Sequence, residues 1–348
     1  MSGPTVASYS QPTPHLLSLL SSRLPNSLPL LRRLQFTRFP GGVTEHSRIL
    51  YAGASALSET TADDYAGAVP TDAPFAAAYV DLSRGPETEV YFYSSLESLT
   101  GTPSPEQIRE AGDHASALLK SVRAVRDEYD AGGATKRAQA PVLIGTLSET
   151  VRTLLLARGF VCTYCTIWDK WIFRLDGLPD AALARVDAAM EKQGLRWGKI
   201  VREDTGLVIS RTKIPRTEQT DAGPTAFHGH QVGGWHAYRP LTDHSLVFTA
   251  KSSGRFCSKH QLQLSINDQA YLKESLTLGV AVYRGQGFAK AVAIKLMQDH
   301  LKDYGGDDYC AADVAPDNAQ SQGVCRSLGG NIMWTVSWSV DSNPFFFW

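Results

Sequence analysis

No excess of either charge marks this sequence. Its 34 Lys and Arg stand against 35 Asp and Glu over 348 residues, a formal net charge of −1, and the basic residues form no stripe. That removes the global field that draws proteins to nucleic acid or to anionic membranes, so neither is expected as a partner. Cysteine is scarce: Cys162, Cys165, Cys257, Cys310 and Cys325 make five. An odd, sparse set argues against a disulfide framework and for a reducing compartment. Cys162 and Cys165 have C-x-x-C spacing without a second pair, and read as core thiols of a strand. His236, His244, Cys257 and His260 fit no common zinc spacing, so no metal is expected. Long apolar runs are missing too, and none reaches the ~18 residues of a membrane span. The leucine-rich "HLLSLLSSRLPNSLPLLRRLQF" is broken by Pro25, Pro29 and arginines, and reads as amphipathic helices docking on a first domain. No acidic residue precedes Glu45, which leaves a mitochondrial presequence as the alternative to the expected cytoplasmic location.

What is present is an alternation of strands and helices, enough for about two domains. "FAAAYVDLS" and "TEVYFYSSLE" read as paired strands. A long helix follows from Ser104, its N-cap, with Ile108, Ala115, Leu118, Leu119, Val122 and Val125 on one stripe. Then come a short strand at "PVLIG", a helix ended by Gly159, and a strand at "VCTYCTIWDKWIFRL". Pro179 and Asp180 open another helix, with Leu183, Val186 and Met190 inward, so the domain boundary is placed at residue 178. The segments 141–175 and 308–340 share a pattern of strand, short Gly-ended helix and long aromatic strand, which suggests a divergent duplication. Between them, 231–269 is interrupted by Gly233-Gly234, Pro240 and Ser252-Ser253-Gly254. It reads as an irregular insertion in which only "SLVFTA" is strand-like.

The chemistry concentrates in "VAVYRGQGFAKAVAIKL". Arg284, Gly285, Gln286, Gly287, Phe288 and Ala289 lie between a strand and a helix whose Phe288, Val292, Leu296 and His300 recur at i+4. The first turn of a helix leaves its N–H groups without intrahelical acceptors. With the helix dipole they suit an anion, and glycines let phosphate oxygens come close. A tight turn alone is the competing reading. The G-K-[ST] ending of a Walker A loop is absent, and Lys290 stands where a dinucleotide fingerprint needs a small residue.

Strand, R-x-x-G-x-A and helix resemble the acetyl-CoA motif of the GNAT superfamily of acyltransferases. "ADVAPDNAQSQGVCRSLGG" is similar to the next strand and helix of that fold, and "VISRTKIPR" to the acceptor side of fungal GNAT proteins related to glycine N-acyltransferases. The resemblance implies an α/β fold, a mixed central sheet flanked by helices, in tandem. A degenerate GNAT-like domain spans 1–178, and an intact one spans 179–348 with the 231–269 insertion. It further implies that backbone N–H groups from Arg284 to Ala289 hold the CoA pyrophosphate, with Lys290 adding charge. Val280 and Val282 pair with the pantetheine arm, Asn318 bonds that arm or caps its helix, and Ser321 lines the thiol end. Cys325 stands where many members carry a proton-donating tyrosine. "GVAVYRGQG" is one residue shorter than the usual strand exit and lacks its proline. Glu274 and Asp313 are the acids at strand ends that could serve as base. The implied activity is transfer of an acyl group, acetyl first, from acyl-CoA to an amine of a small molecule. The alternatives are a non-catalytic CoA-binding scaffold and an O-acyltransferase. Nothing in the sequence sets the oligomeric state.

Overall fold

The computed structural model describes residues 4–39, 42–57, 73–84, 88–132, 142–192, 195–199, 235–240, 248–251 and 287–341. Contacts divide the chain into two units: Met1–Asp169 with Trp334–Trp348, and Lys170–Met333. The sequence reading divides it at 178 instead and gives the whole C-terminal strand to the second half. In the larger sheet the strand order is β1-β2-β3-β4-β5-β11-β6-β10. Its members are β1 (Val6–Tyr9), β2 (Ser47–Ala52), β3 (Ala76–Asp81), β4 (Val90–Ser94), β5 (Val142–Ser148), β6 (Cys162–Arg174), β10 (Tyr309–Val314) and β11 (Asn331–Asp341). It is mixed: β4 and β5 run parallel, β1 to β4 antiparallel, and β11 is antiparallel to β5.

In the first unit strands β2 to β4 are covered on both faces. Ile49, Tyr51, Ala77, Tyr79, Tyr91 and Tyr93 meet leucines of α1 (Pro14–Ser21) and α2 (Leu28–Phe36). The N-terminal leucines are therefore core residues, as expected. Leu50, Ala78, Val80 and Phe92 face α3 (Pro105–Ala131) and α4 (Glu149–Ala157). One expected member of the α3 stripe is corrected: Ile108 is 41% exposed, and Ala111 takes the inward place against Leu96 and Leu154. A Cβ at Gly112 beside it would meet the Arg158 guanidinium, which would have to move aside. The core-thiol reading of the C-x-x-C pair is also corrected. Cys162 is half-buried and Cys165 exposed, because the first half of β6 is uncovered and only Lys170 to Phe173 is buried.

The second unit packs α5 (Asp180–Lys192), α6 (Phe288–His300) and α7 (Ala319–Ser327) around Trp171, Phe173, Cys310, Ala312 and Val314. Ala293, Ile294, Met297 and Leu301 join that core. Val292 of the expected α6 stripe is buried, whereas the side chains at 288, 296 and 300 lie outside the described residues. A separate antiparallel sheet joins β7 (Leu195–Lys199), β8 (Trp235–Pro240) and β9 (Phe248–Lys251). Two strands thus occur inside 231–269, where the composition reads as irregular. Pro240 is the last residue of β8 and Gly233-Gly234 precedes it, so the breakers bound the strand rather than interrupt it.

The two Gly-ended helices expected from the sequence are both present. α4 and α7 both have nine residues. Each closes in a left-handed glycine, Gly159 at φ 87° and Gly329 at φ 78°. The Gly159 and Phe160 N–H groups donate to Leu156 and Leu155, and those of Gly329 and Gly330 to Arg326 and Cys325, all at 3.0–3.1 Å. This is the same Schellman closure twice. We expect Gly159→Ala and Gly329→Ala each to lose about 1–2 kcal/mol in urea unfolding, because an L side chain is strained at positive φ. Gly306→Ala, with open space around it, serves as the neutral control.

A buried ionic cluster sits behind α2. The Arg33 guanidinium stacks 4.0 Å over the Tyr79 ring, the Tyr79 hydroxyl donates to Asp81 at 3.2 Å, and Arg84 Nε donates to Asp81 at 2.7 Å. Burial alone would raise the Asp81 carboxyl, but Arg84, the Ser83 hydrogen bond and Arg33 outweigh it and hold it below its ordinary value. Its stabilisation is therefore present above the unfolded-state value of about 3.9 and lost as pH falls through the lower folded-state value. Asp81→Asn should cost about 3–5 kcal/mol near neutrality, since it leaves buried guanidinium charge uncompensated. The denaturant midpoint of this variant should also fall less steeply than wild type below pH 4.

Candidate functional site

The start of α6 is the chemically distinctive place in the second unit. Gly287 is its N-cap, exposed, at φ 86° and ψ 2°, and no side chain caps the helix. The Ala291 N–H donates to the Gly287 carbonyl at 3.0 Å, closing the first turn of the helix. The N–H groups of Phe288, Ala289 and Lys290 precede it and have no intrahelical acceptor. The left-handed backbone explains the glycine: any L side chain would be strained, and a Cβ would also reach Val186 Cγ2 at 3.4 Å. Val186 belongs to α5, which packs on α6.

Lys290 lies in the first turn of α6, half-buried, and its ammonium is held below the ordinary value by burial first and then by the Arg185 guanidinium of α5. The glycine motif contains Lys290 but not Arg185, because the packing of one helix on another is not written in either helix alone. A bare helix start with a lysine in its first turn is suited to an oxyanion. Arg284, Gly285, Gln286, Val280, Val282 and Glu274 lie outside the described residues.

The start of α3 in the first unit is built the opposite way. The Gln107 N–H donates to Ser104 Oγ at 3.2 Å, and the Ser104 N–H donates to Gln107 Oε1 at 2.8 Å. Pro105 supplies no N–H at all. A capping box plus a proline closes this helix with its own side chains.

The remaining candidates are placed as follows. Asn318 caps α7, its Oδ1 accepting the Ser321 N–H at 3.0 Å. Asp313 is buried in β10 and ion-paired with Lys170 of β6, itself 1% exposed. Cys325 is 1% exposed and packs with Ala293, Val314 and Leu328, and burial pushes its thiol up to about 12. In the repeat, Cys325 accepts the closing N–H as Leu155 does in α4, and Leu155 is a core residue. Among the described residues no group of three or more His, Cys, Asp or Glu could hold a metal, and no helix is long and apolar enough to cross a membrane.

Comparison with known proteins then places the chain. No curated protein matches it in sequence. Among solved structures, a Drosophila protein is similar at a TM-score of 0.53 and 10% identity, covering 94% of each chain. A tandem GNAT protein from the clavulanic acid biosynthesis pathway follows at 0.47 and 9%, covering 99% of this chain and 100% of that one. A GCN5-related N-acetyltransferase from Sphaerobacter thermophilus is at 0.45 and 12%, covering 98% and 97%. The family model described as "Acyl-CoA N-acyltransferase verG N-terminal domain" matches residues 4–179, just over half of the 348-residue chain. The chain belongs to that acyl-CoA N-acyltransferase family.

Proposed function

We propose that the protein is an acyl-CoA-dependent N-acyltransferase that moves an acyl group, acetyl in the first instance, from CoA to an amine of a small molecule, with both substrates bound together. The observation that carries this reading is the uncapped start of α6, with Gly287 left-handed and Lys290, coupled to Arg185, in its first turn. CoA brings a pyrophosphate that needs such donors, and the family supplies the acyl chemistry. In this reading the 179–348 half holds the CoA, and the 1–178 half keeps the fold without a phosphate site. Asn318 retains its Nδ2 as a donor toward the pantetheine arm while its Oδ1 caps α7.

The transfer itself asks little of acid–base groups. A neutral amine adds to the thioester carbonyl, and CoA departs as its thiolate and collects a proton. Asp313 and Cys325 are both buried, one paired with Lys170 and the other in the apolar core. This favours catalysis by positioning over catalysis by either residue. The same burial supports a second reading, a CoA-binding scaffold without turnover.

Acetyl-CoA should bind with one molecule per chain by calorimetry. Gly287→Glu should abolish that binding while the circular dichroism spectrum is kept, because a carboxylate would occupy the anion's place on a strained backbone. Arg185→Ala should weaken it about tenfold, the loss of one charge-assisted contact worth about 1.4 kcal/mol. Unchanged affinity in Gly287→Glu would sink the cradle, and two molecules per chain would contradict the assignment of the first half. Tight binding with no acyl transfer across a panel of small amines would select the scaffold.

A further inference from the structure

The end of β6 helps to build the second unit, although the sequence reading assigns it to the first domain. Lys170 to Leu175 close the 141–175 segment, yet contacts group them with α5, α6 and α7. Trp171 and Phe173 lie in that unit's core with Cys310, Ala312 and Val314 of β10. At the far end the Leu175 N–H donates to the Asp308 carbonyl at 2.9 Å, and Arg174 Nη2 donates to Asp308 Oδ2 at 2.6 Å.

Two lines of contact run from this strand end to one turn. The first is ionic: Lys170, 1% exposed, pairs with Asp313, the penultimate residue of β10. After Val314 comes the turn Ala315 to Asn318, which the Asn318 N–H closes on the Ala315 carbonyl at 2.9 Å. The second line starts one residue further along β6. The Arg326 guanidinium of α7 lies 5.5 Å from the centre of the Trp171 ring, and its Nη2 donates to Gln322 Oε1 at 2.8 Å. Gln322 Nε2 in turn donates to the carbonyl of Pro316, the second residue of the same turn, at 2.8 Å. The turn is therefore held from its strand side and from its helix side. It ends on Asn318, whose Oδ1 is already fixed by the Ser321 N–H.

We propose that Lys170 and Trp171 are positioning residues of the acyl-CoA site, which set the 315–318 turn and through it the direction in which Asn318 offers its Nδ2. The inference rests on the proposed function, in which that amide meets the pantetheine arm. Neither residue touches the ligand. Each acts by fixing the donor that does, because a hydrogen bond weakens steeply once its angle falls below ~120°. The Gly287 turn starts a different helix, so the pyrophosphate and the arm report on different elements.

The test is calorimetry on the full chain with two probes: acetyl-CoA, which has the arm, and ADP, which has a pyrophosphate without it. Arg326→Ala cuts the second line. Lys170→Met combined with Asp313→Asn cuts the first and leaves neither charge of the pair buried alone. Each should weaken acetyl-CoA binding about fivefold, the loss of one hydrogen bond, and leave ADP within about twofold. Asn318→Ala should show the same split, and adding it to either variant should cost little more, because all act through one contact. Arg326 is exposed, so its variant decides the matter even if the Lys170 variant does not fold. With wild type binding both probes, equal losses for the two, no loss, or losses that add to that of Asn318→Ala would overturn this inference alone. A wild-type chain that binds neither probe would overturn the proposed function, and this inference with it.

Discussion

The first unit depends on what holds β5 in place. On one side β4 pairs with it in parallel at Val90–Ile144 and Tyr91–Gly145. On the other, the C-terminal strand pairs Val336 to Asp341 with Ser148 to Val142. Without that late strand β5 would be an open edge, with a row of unpaired backbone groups exposed. The junction is also strained. Ser337 faces Leu147 and Ser339 faces Ile144, so Gly145 and Thr146 together oppose Trp338 in a bulge. Thr146 sits at φ 54°, where a β-branched residue is held only by its surroundings, at a cost of about 1–3 kcal/mol. Gly145 is bare for a different reason. A Cβ there would lie 2.5 Å from Thr88 and 3.0 Å from Trp338.

This dependence marks the limit of what the sequence could say. Elements that are long or strongly patterned were legible: the α3 helix with its Ser104 cap, the Gly-ended helices, and the paired strands whose residues are buried on both faces. Short elements were not. β1 has four residues, too few for alternation to register, and β8 was hidden because its flanking Gly and Pro were read as interruptions. The partner of β11 was illegible for another reason. Strand order is set by contacts between residues as far apart as Leu147 and Ser337, and no local pattern carries that information.

The candidate site divides along the same line. The glycine turn before α6 was legible because a left-handed N-cap demands glycine locally. The coupling of Arg185 to Lys290 was not, since it comes from another helix. Asp313 looked like a candidate base in isolation, and its partner Lys170 lies on a different strand. Cys325 could have been placed from sequence by aligning the two repeats at Gly159 and Gly329. That alignment sets it opposite Leu155, a core position.

The repeat also separates what the fold needs from what a ligand needs. At the C-terminal ends of α4 and α7 both halves use one solution, a left-handed glycine that satisfies the last carbonyls. That device serves the turn into the following strand, so function has no reason to change it. At the N-terminal ends of α3 and α6 the halves differ. α3 closes its start with Ser104, Gln107 and a proline, whereas α6 opens on an exposed glycine with Lys290 in its first turn. A helix start must satisfy its N–H groups from its own side chains, from water or from a ligand. A helix start that spends its N–H groups on its own side chains has fewer left for an anion, so the capping box in α3 and the bare glycine in α6 are two answers to one requirement.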